Sequence, residues 1–149
     1  MAPPPETADR EPRTRSTKGK KKIRDHRDLR VWRKAGRLAE QCRSAVESFP
    51  PAHAELAGVI CRLAEEVPHE IATGQSQIIH AAYLDHLGRA RAALRHLERR
   101  MIDAHKKGCL SSEAGDLLLA QLADIDRMLK KLIVSLELAH ASRAGCVSR

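Results

Sequence analysis

The chain has 149 residues, enough for one core plus tails, and its 42% hydrophobic content is dominated by Leu and Ala, with 2% aromatics and few β-branched residues. That balance argues against a β-sandwich or barrel and predicts an all-α domain. The formal net charge of +8 is confined to residues 1–37, which hold 13 Lys+Arg against 5 Asp+Glu, whereas residues 38–149 hold 14 of each; a basic arm on a neutral body points to a polyanion, nucleic acid ahead of an acidic membrane surface.

Residues 1–24 are Pro-rich and charged and have no apolar periodicity, so they are expected to form a disordered arm. Its run of Lys18, Lys20, Lys21, Lys22 and Arg24, continued by Arg27, can neutralise several phosphates; a solubilising tail is the other reading. The domain is expected over residues 25–140. A first helix, capped by Asp25 or Asp28, runs to Ser48 on a stripe of Trp32, Ala35, Ala39, Cys42, Val46 and Phe49. Trp32 sits on that stripe, so it reads as a core anchor rather than a base-stacking platform. Arg30, Arg33, Lys34 and Arg37 carry the arm's charge onto this helix.

Phe49-Pro50-Pro51 ends the first helix. The second is expected over 52–73 with Leu56, Ile60, Leu63, Val67 and Ile71 inward, Gly74 as its C-cap, and a kink or break at Pro68. The third carries the cleanest signal, a stripe of Tyr83, Leu87, Ala90, Leu94, Leu97, Met101 and Ala104 ended by Gly108. Ser111 is a natural N-cap for the fourth, whose stripe is Leu118, Leu122, Ile125, Leu129, Leu132, Leu136 and Ala139. Residues 141–149 are expected to be a flexible tail. Four amphipathic helices with short links predict an antiparallel, up-down-up-down four-helix bundle. Leu117, Leu119, Ile133 and Leu138 on the fourth helix, and Ile78, Ile79, Leu84 and Ile102 about the third, are more apolar surface than one seam needs. Subunit contacts and a broad core-facing surface are both open readings.

The third helix also bears Arg89, Arg91, Arg95, Arg99 and Arg100. Arg91, Arg95 and Arg99 recur every four residues, a ladder along one side that suits a phosphate backbone; solvated pairing with nearby acids is the alternative. No catalytic residues are assigned, because neither a glycine-rich phosphate loop nor a nucleophile motif is present. No metal or other cofactor is expected either: the Glu-x-x-His pair Glu66 and His69 brackets a proline and does not make up a complete ligand set. The cysteines, Cys42, Cys61, Cys109 and Cys146, form no C-x-x-C pair, and Cys42 and Cys61 read as small core residues. With no apolar leader and no run of eighteen apolar residues, the expectation is a soluble, cytoplasmic protein without a membrane span.

In order, DLRVWRKA (28–35), FP (49–50), VPHEIATG (67–74), YLDHLGRARAAL (83–94), KGCLSSE (107–113) and DRMLKKLIVSL (126–136) resemble the small bacterial four-helix bundle proteins. These include proteins encoded within 23S rRNA intervening sequences and the similar accessory variability proteins of diversity-generating retroelements. The resemblance covers residues 25–139. Where that family has a segment close to S-I-P-A-N-I-A-E-G, this chain keeps Pro68 and Gly74 but carries Glu66, His69, Glu70 and Thr73 at the Ser, first Ala, Asn and Glu positions. A basic bundle with a basic arm is more similar to the retroelement branch. That resemblance implies a homopentamer that binds a reverse transcriptase and its structured RNA and has no catalytic activity of its own. The leading expectation is therefore a non-enzymatic, oligomeric adaptor that binds RNA or DNA. The alternative is an rRNA intervening-sequence-type bundle or a protein-interaction module without nucleic-acid binding.

Overall fold

A computed structural model of the chain describes residues 26–147, with side chains from 29 to 142. They form α1 (His26–Val46), a 3-10 turn (Pro51–His53), α2 (Ala54–Gln75), α3 (His80–Lys106) and α4 (Ser112–Val147), with no strand among the described residues. Lys18, Lys20, Lys21, Lys22 and Arg24 lie outside the described residues, as do the side chains of Arg27 and Cys146.

The links follow from local chemistry. Pro51 opens the 3-10 turn at a position where its missing N–H costs nothing, and His53 N–H donates to the Pro50 carbonyl at 2.8 Å. After α3, Gly108 takes φ +79°, a left-handed conformation that glycine adopts without a Cβ penalty. Cys109 N–H then reaches the Ala104 carbonyl at 2.9 Å and Gly108 N–H the His105 carbonyl at 3.0 Å, the paired bonds of a Schellman ending. Ser111 caps α4 as its sequence predicts, with Oγ accepting from Ala114 N–H at 3.0 Å.

On α2 the break at Pro68 does not occur, and the expected C-cap is corrected. The helix runs through Pro68 unbroken, although proline removes the bond to the Ala64 carbonyl at a cost of about 3 kcal/mol. Ala64, Val67 and Ile71 are fully buried around it, and each large apolar side chain so buried returns about 1.5–3 kcal/mol. Gly74 is not the C-cap: the helix passes it to Gln75, and Ser76 closes the end with Oγ donating to the Thr73 carbonyl at 2.7 Å. Gly74 is glycine because α3 comes close. A Cβ there would stand 3.0 Å from both His86 Cβ and Tyr83 Cδ1. At the other end of the chain α4 continues to Val147, through most of the segment expected to be a tail.

Each helix packs on two others, α1 on α2 and α4, α3 on α2 and α4; α1 and α3 stand diagonally, with no Cα pair within 8 Å among the described residues. Contacts between α3 and α4 step from His80–His140 through Arg91–Asp126 to His105–Ser112, so these two helices run in opposite directions. All seven stripe residues expected for α3 are buried. On α4, Leu118, Leu122, Ile125, Leu129 and Leu132 are buried and Leu136 is partly so, whereas Ala139 is exposed.

The expected stripe of α1 departs from the buried face at Trp32. Its buried line is Val31, Ala35, Leu38, Ala39 and Cys42, while Trp32 remains 40% exposed, so the core-anchor reading of Trp32 fails. The rest of the expected stripe holds: Ala35, Ala39 and Cys42 are buried and Val46 and Phe49 pack against the core, while Val31 and Leu38 complete the buried face in place of Trp32. Cys42 is a core residue as expected, and burial pushes its thiol up to about 12, where it stays protonated at neutral pH. Cys61 is only half-buried.

Candidate nucleic-acid interface

The basic residues divide into two sets on the diagonal helices α1 and α3. On α1, Arg30, Arg33 and Arg37 are exposed, and none forms an ion pair among the described residues. Lys34, on the same turn as Arg33, is committed elsewhere: its Nζ donates to Asp124 Oδ2 of α4 at 2.7 Å. Arg127 Nη2 joins the same carboxylate at 3.1 Å. Hydrogen bonding to Lys34, with its charge and the bond from Arg127 behind it, holds the Asp124 carboxyl below the ordinary aspartate range.

A lowered native pKa means that this contact stabilises the fold above the unfolded value of about 3.9 and is lost as pH falls through the native one. Lys34→Met is expected to move the Asp124 titration up toward that value, as read by carboxyl-carbon NMR. An unchanged titration would show that the pair does not form in solution.

The α3 arginines do not act as one ladder. Arg91 is four-fifths buried, with Nε donating to Asp126 Oδ1 at 2.8 Å and Nη2 to Oδ2 at 3.4 Å, a forked tie to α4. That hydrogen bonding pushes its pKa up against the opposing effect of desolvation. Arg89 pairs with Asp85 one turn back at 2.9 Å. Arg95 and Arg99 stay exposed and, with Arg127, line a groove of about 320 Å³ between α3 and α4, in which Glu98 and Asp126 also stand. Arg100 lies on the other side of α3, over a hollow shared with α2 and lined by His53, Glu55, Asp103 and Lys107.

The face between α1 and α2 holds a feature that the sequence reading missed. A groove of about 510 Å³ runs there, lined by Trp32, Arg33, Gly36 and Arg37 of α1 and by Glu65 and Pro68 of α2. Arg43 pairs with Glu65 at 3.1 Å across its far end. One sequence signal marked it: Gly36 in the middle of a helix costs about 1 kcal/mol relative to Ala, and it sits one turn from the single tryptophan.

The apolar surplus is partly absorbed. Leu119 and Ile133 pack against the core, whereas Ile78 (85% exposed), Ile79, Leu117, Leu138 and, less fully, Ile102 face outward. Val134 and Leu138 stand beside Arg127, Lys130 and Lys131 on the outer side of α4. No helix among the described residues is long and apolar enough to cross a membrane.

No curated protein matches the chain. The family model described as 23S rRNA-intervening sequence protein matches residues 27–131, from the first turn of α1 to the middle of α4. The matched segment includes Pro68 within an unbroken α2, Gly74 at the close α2–α3 approach and the Gly108 turn, the features that set the bundle's geometry. The chain belongs to the family of 23S rRNA-intervening sequence proteins.

Proposed function

We propose that this protein is a non-enzymatic adaptor that binds nucleic acid through the outer face of α1 and the basic segment preceding it, and that it works as a homo-oligomer. The observation that carries this reading is the set Arg30, Arg33 and Arg37, exposed and without ion pairs among the described residues, directly after a run containing Lys18, Lys20, Lys21, Lys22, Arg24 and Arg27. On a body whose remaining charges balance, cations left free of acids are available to displace counterions from phosphates. Arg95 and Arg99 form a second, smaller patch, weakened by Glu98 and Asp126 in the same groove. Arg91 is not part of the interface, because its guanidinium is already matched by a carboxylate.

Outward-facing Ile78, Ile79, Val134 and Leu138 support assembly, since burying each between copies gains about 1.5–3 kcal/mol. A pentamer and a reverse-transcriptase partner with its RNA follow from the resemblance to retroelement accessory proteins and belong to the same proposal. Co-purification with nuclease treatment tests the partner, and light scattering tests the assembly.

The direct test is RNA binding by fluorescence anisotropy over a salt series. The triple variant Arg30→Gln, Arg33→Gln, Arg37→Gln is expected to flatten the slope of log K against log salt by about 1 per arginine, or about 3 in all. Arg95→Gln with Arg99→Gln should change it less. Salt-independent binding, or none at low salt, would overturn the reading.

A further inference from the structure

The groove between α1 and α2 combines three properties not found together elsewhere on the described surface. Trp32 is the only tryptophan in the chain, and 40% of it is exposed at a place where α1 has other side chains for its core. An indole gains by burial, so one left open on a helix that buries Val31, Ala35 and Leu38 around it is a surface offered to something flat and apolar. One turn further on, Gly36 leaves the surface of α1 bare: apart from its chain neighbours and the helix's own backbone, no atom lies within 4 Å of where its Cβ would be, so the space there is open. Pro68 faces the same space from α2 and presents a ring without an N–H.

The charges around the groove are graded. Arg33 and Arg37, one turn apart, are exposed beside Trp32 and form no ion pair among the described residues. Toward the other end Arg43 is neutralised by Glu65, and Glu40 adds a negative charge. A phosphate is therefore favoured at the Trp32 end only, with the ring attached to it lying over the indole. The volume of about 510 Å³ is in the range of pockets that take a ligand the size of a nucleotide.

The geometry points to a site for one unpaired base of a single-stranded nucleic acid, stacked on Trp32 over Gly36 with its phosphate held by Arg33 and Arg37. The inference rests on the nucleic-acid reading above and deepens it. It makes this protein a reader of single-stranded segments, because a base held inside a duplex cannot present its face to the indole.

With only one tryptophan, intrinsic fluorescence reports on this site alone. Titrating the full chain with a 12-nucleotide oligo(A) RNA is expected to quench the emission saturably, whereas inorganic polyphosphate of similar charge, which has no bases, should bind without matching the quench. The deoxy oligomer of the same sequence distinguishes DNA from RNA as the source of the base, and quenching by either supports the site. Base–aromatic stacking is worth about 1–3 kcal/mol per base, so Trp32→Ala should weaken binding of the oligonucleotide roughly 5- to 150-fold, with Trp32→Phe losing less. Circular dichroism melting checks that both variants fold; should Trp32→Ala not fold, the comparison of oligonucleotide with polyphosphate on the unmodified chain decides the matter. Equal quenching by both polyanions, or undiminished oligonucleotide binding by a folded Trp32→Ala, would overturn the site and leave charge-based binding standing. Failure of every polyanion to bind at low salt would remove both.

Discussion

Tyr83→Ala is expected to lower the unfolding free energy by about 3–5 kcal/mol, the range for truncating a large aromatic side chain in a core. Tyr83 heads the fully buried side chains by volume among the described residues, and its ring lies against Gly74, where α3 packs close to α2. Gly74→Ala probes the same contact from the other side. Helix propensity alone would reward the alanine by up to about 1 kcal/mol. Yet the new Cβ would meet His86 Cβ at 3.0 Å, an atom fixed to the α3 backbone that cannot swing away, and Tyr83 Cδ1 at the same distance. Overpacking of this kind costs about 1–3 kcal/mol, so a net loss is expected. In the double variant the cavity left by Tyr83 admits part of the methyl group, and the two losses should sum to less than their separate values by about 0.5 kcal/mol or more. Urea denaturation with unchanged m-values would measure this. Strict additivity would place the whole Gly74 constraint on His86 and the α3 backbone, and a stabilising Gly74→Ala would refute the close approach altogether.

That contact was hidden in the sequence for a physical reason. A glycine near the end of an apolar stripe has the same appearance whether it turns the chain or admits a neighbouring helix, and only the partner distinguishes the two. Gly108 was legible because it follows the last stripe residue of α3 and precedes a capping serine, so two local signals agree. The α3 core was legible throughout, since its large apolar residues leave only one rotation that buries them. On α1 the stripe was legible at Ala35, Ala39 and Cys42, but Val31 and Trp32 are neighbours at its edge, and spacing alone does not say which of them turns inward. Val31 and Leu38 are the ones buried, and the indole is left lining a groove.

The charged residues show the same limit. Spacing revealed that Arg91, Arg95 and Arg99 share a side of α3, but the four-residue step drifts around the helix. It brings Arg91 against α4 while Arg95 and Arg99 emerge toward solvent. The acid that claims Arg91 stands 35 residues away in the chain, beyond any local rule. Free cations on α1 are identified in the same way, by what their neighbours lack, and Lys34, which a composition count would group with them, is removed by Asp124.

Asp126→Ala should therefore be a stability variant rather than a binding one. It leaves a guanidinium that is 20% exposed without the carboxylate that accepts both its bonds. Hydrogen bonds to charged groups are worth about 1.5–3 kcal/mol, and the partial exposure of both side chains limits the loss to about 1–3 kcal/mol. Replacing both partners by leucine removes the stranded charge, so Arg91→Leu with Asp126→Leu is expected to recover most of that loss, as apolar substitution of a half-buried pair commonly does. Thermal melts of the two variants supply the comparison, and the salt slope of RNA binding supplies the functional one. The slope should be the same for the double leucine variant as for the unmodified chain, because a guanidinium already matched by a carboxylate releases no counterions from a phosphate. A slope flattened by about 1 would return Arg91 to the interface and show that phosphate displaces Asp126 from it.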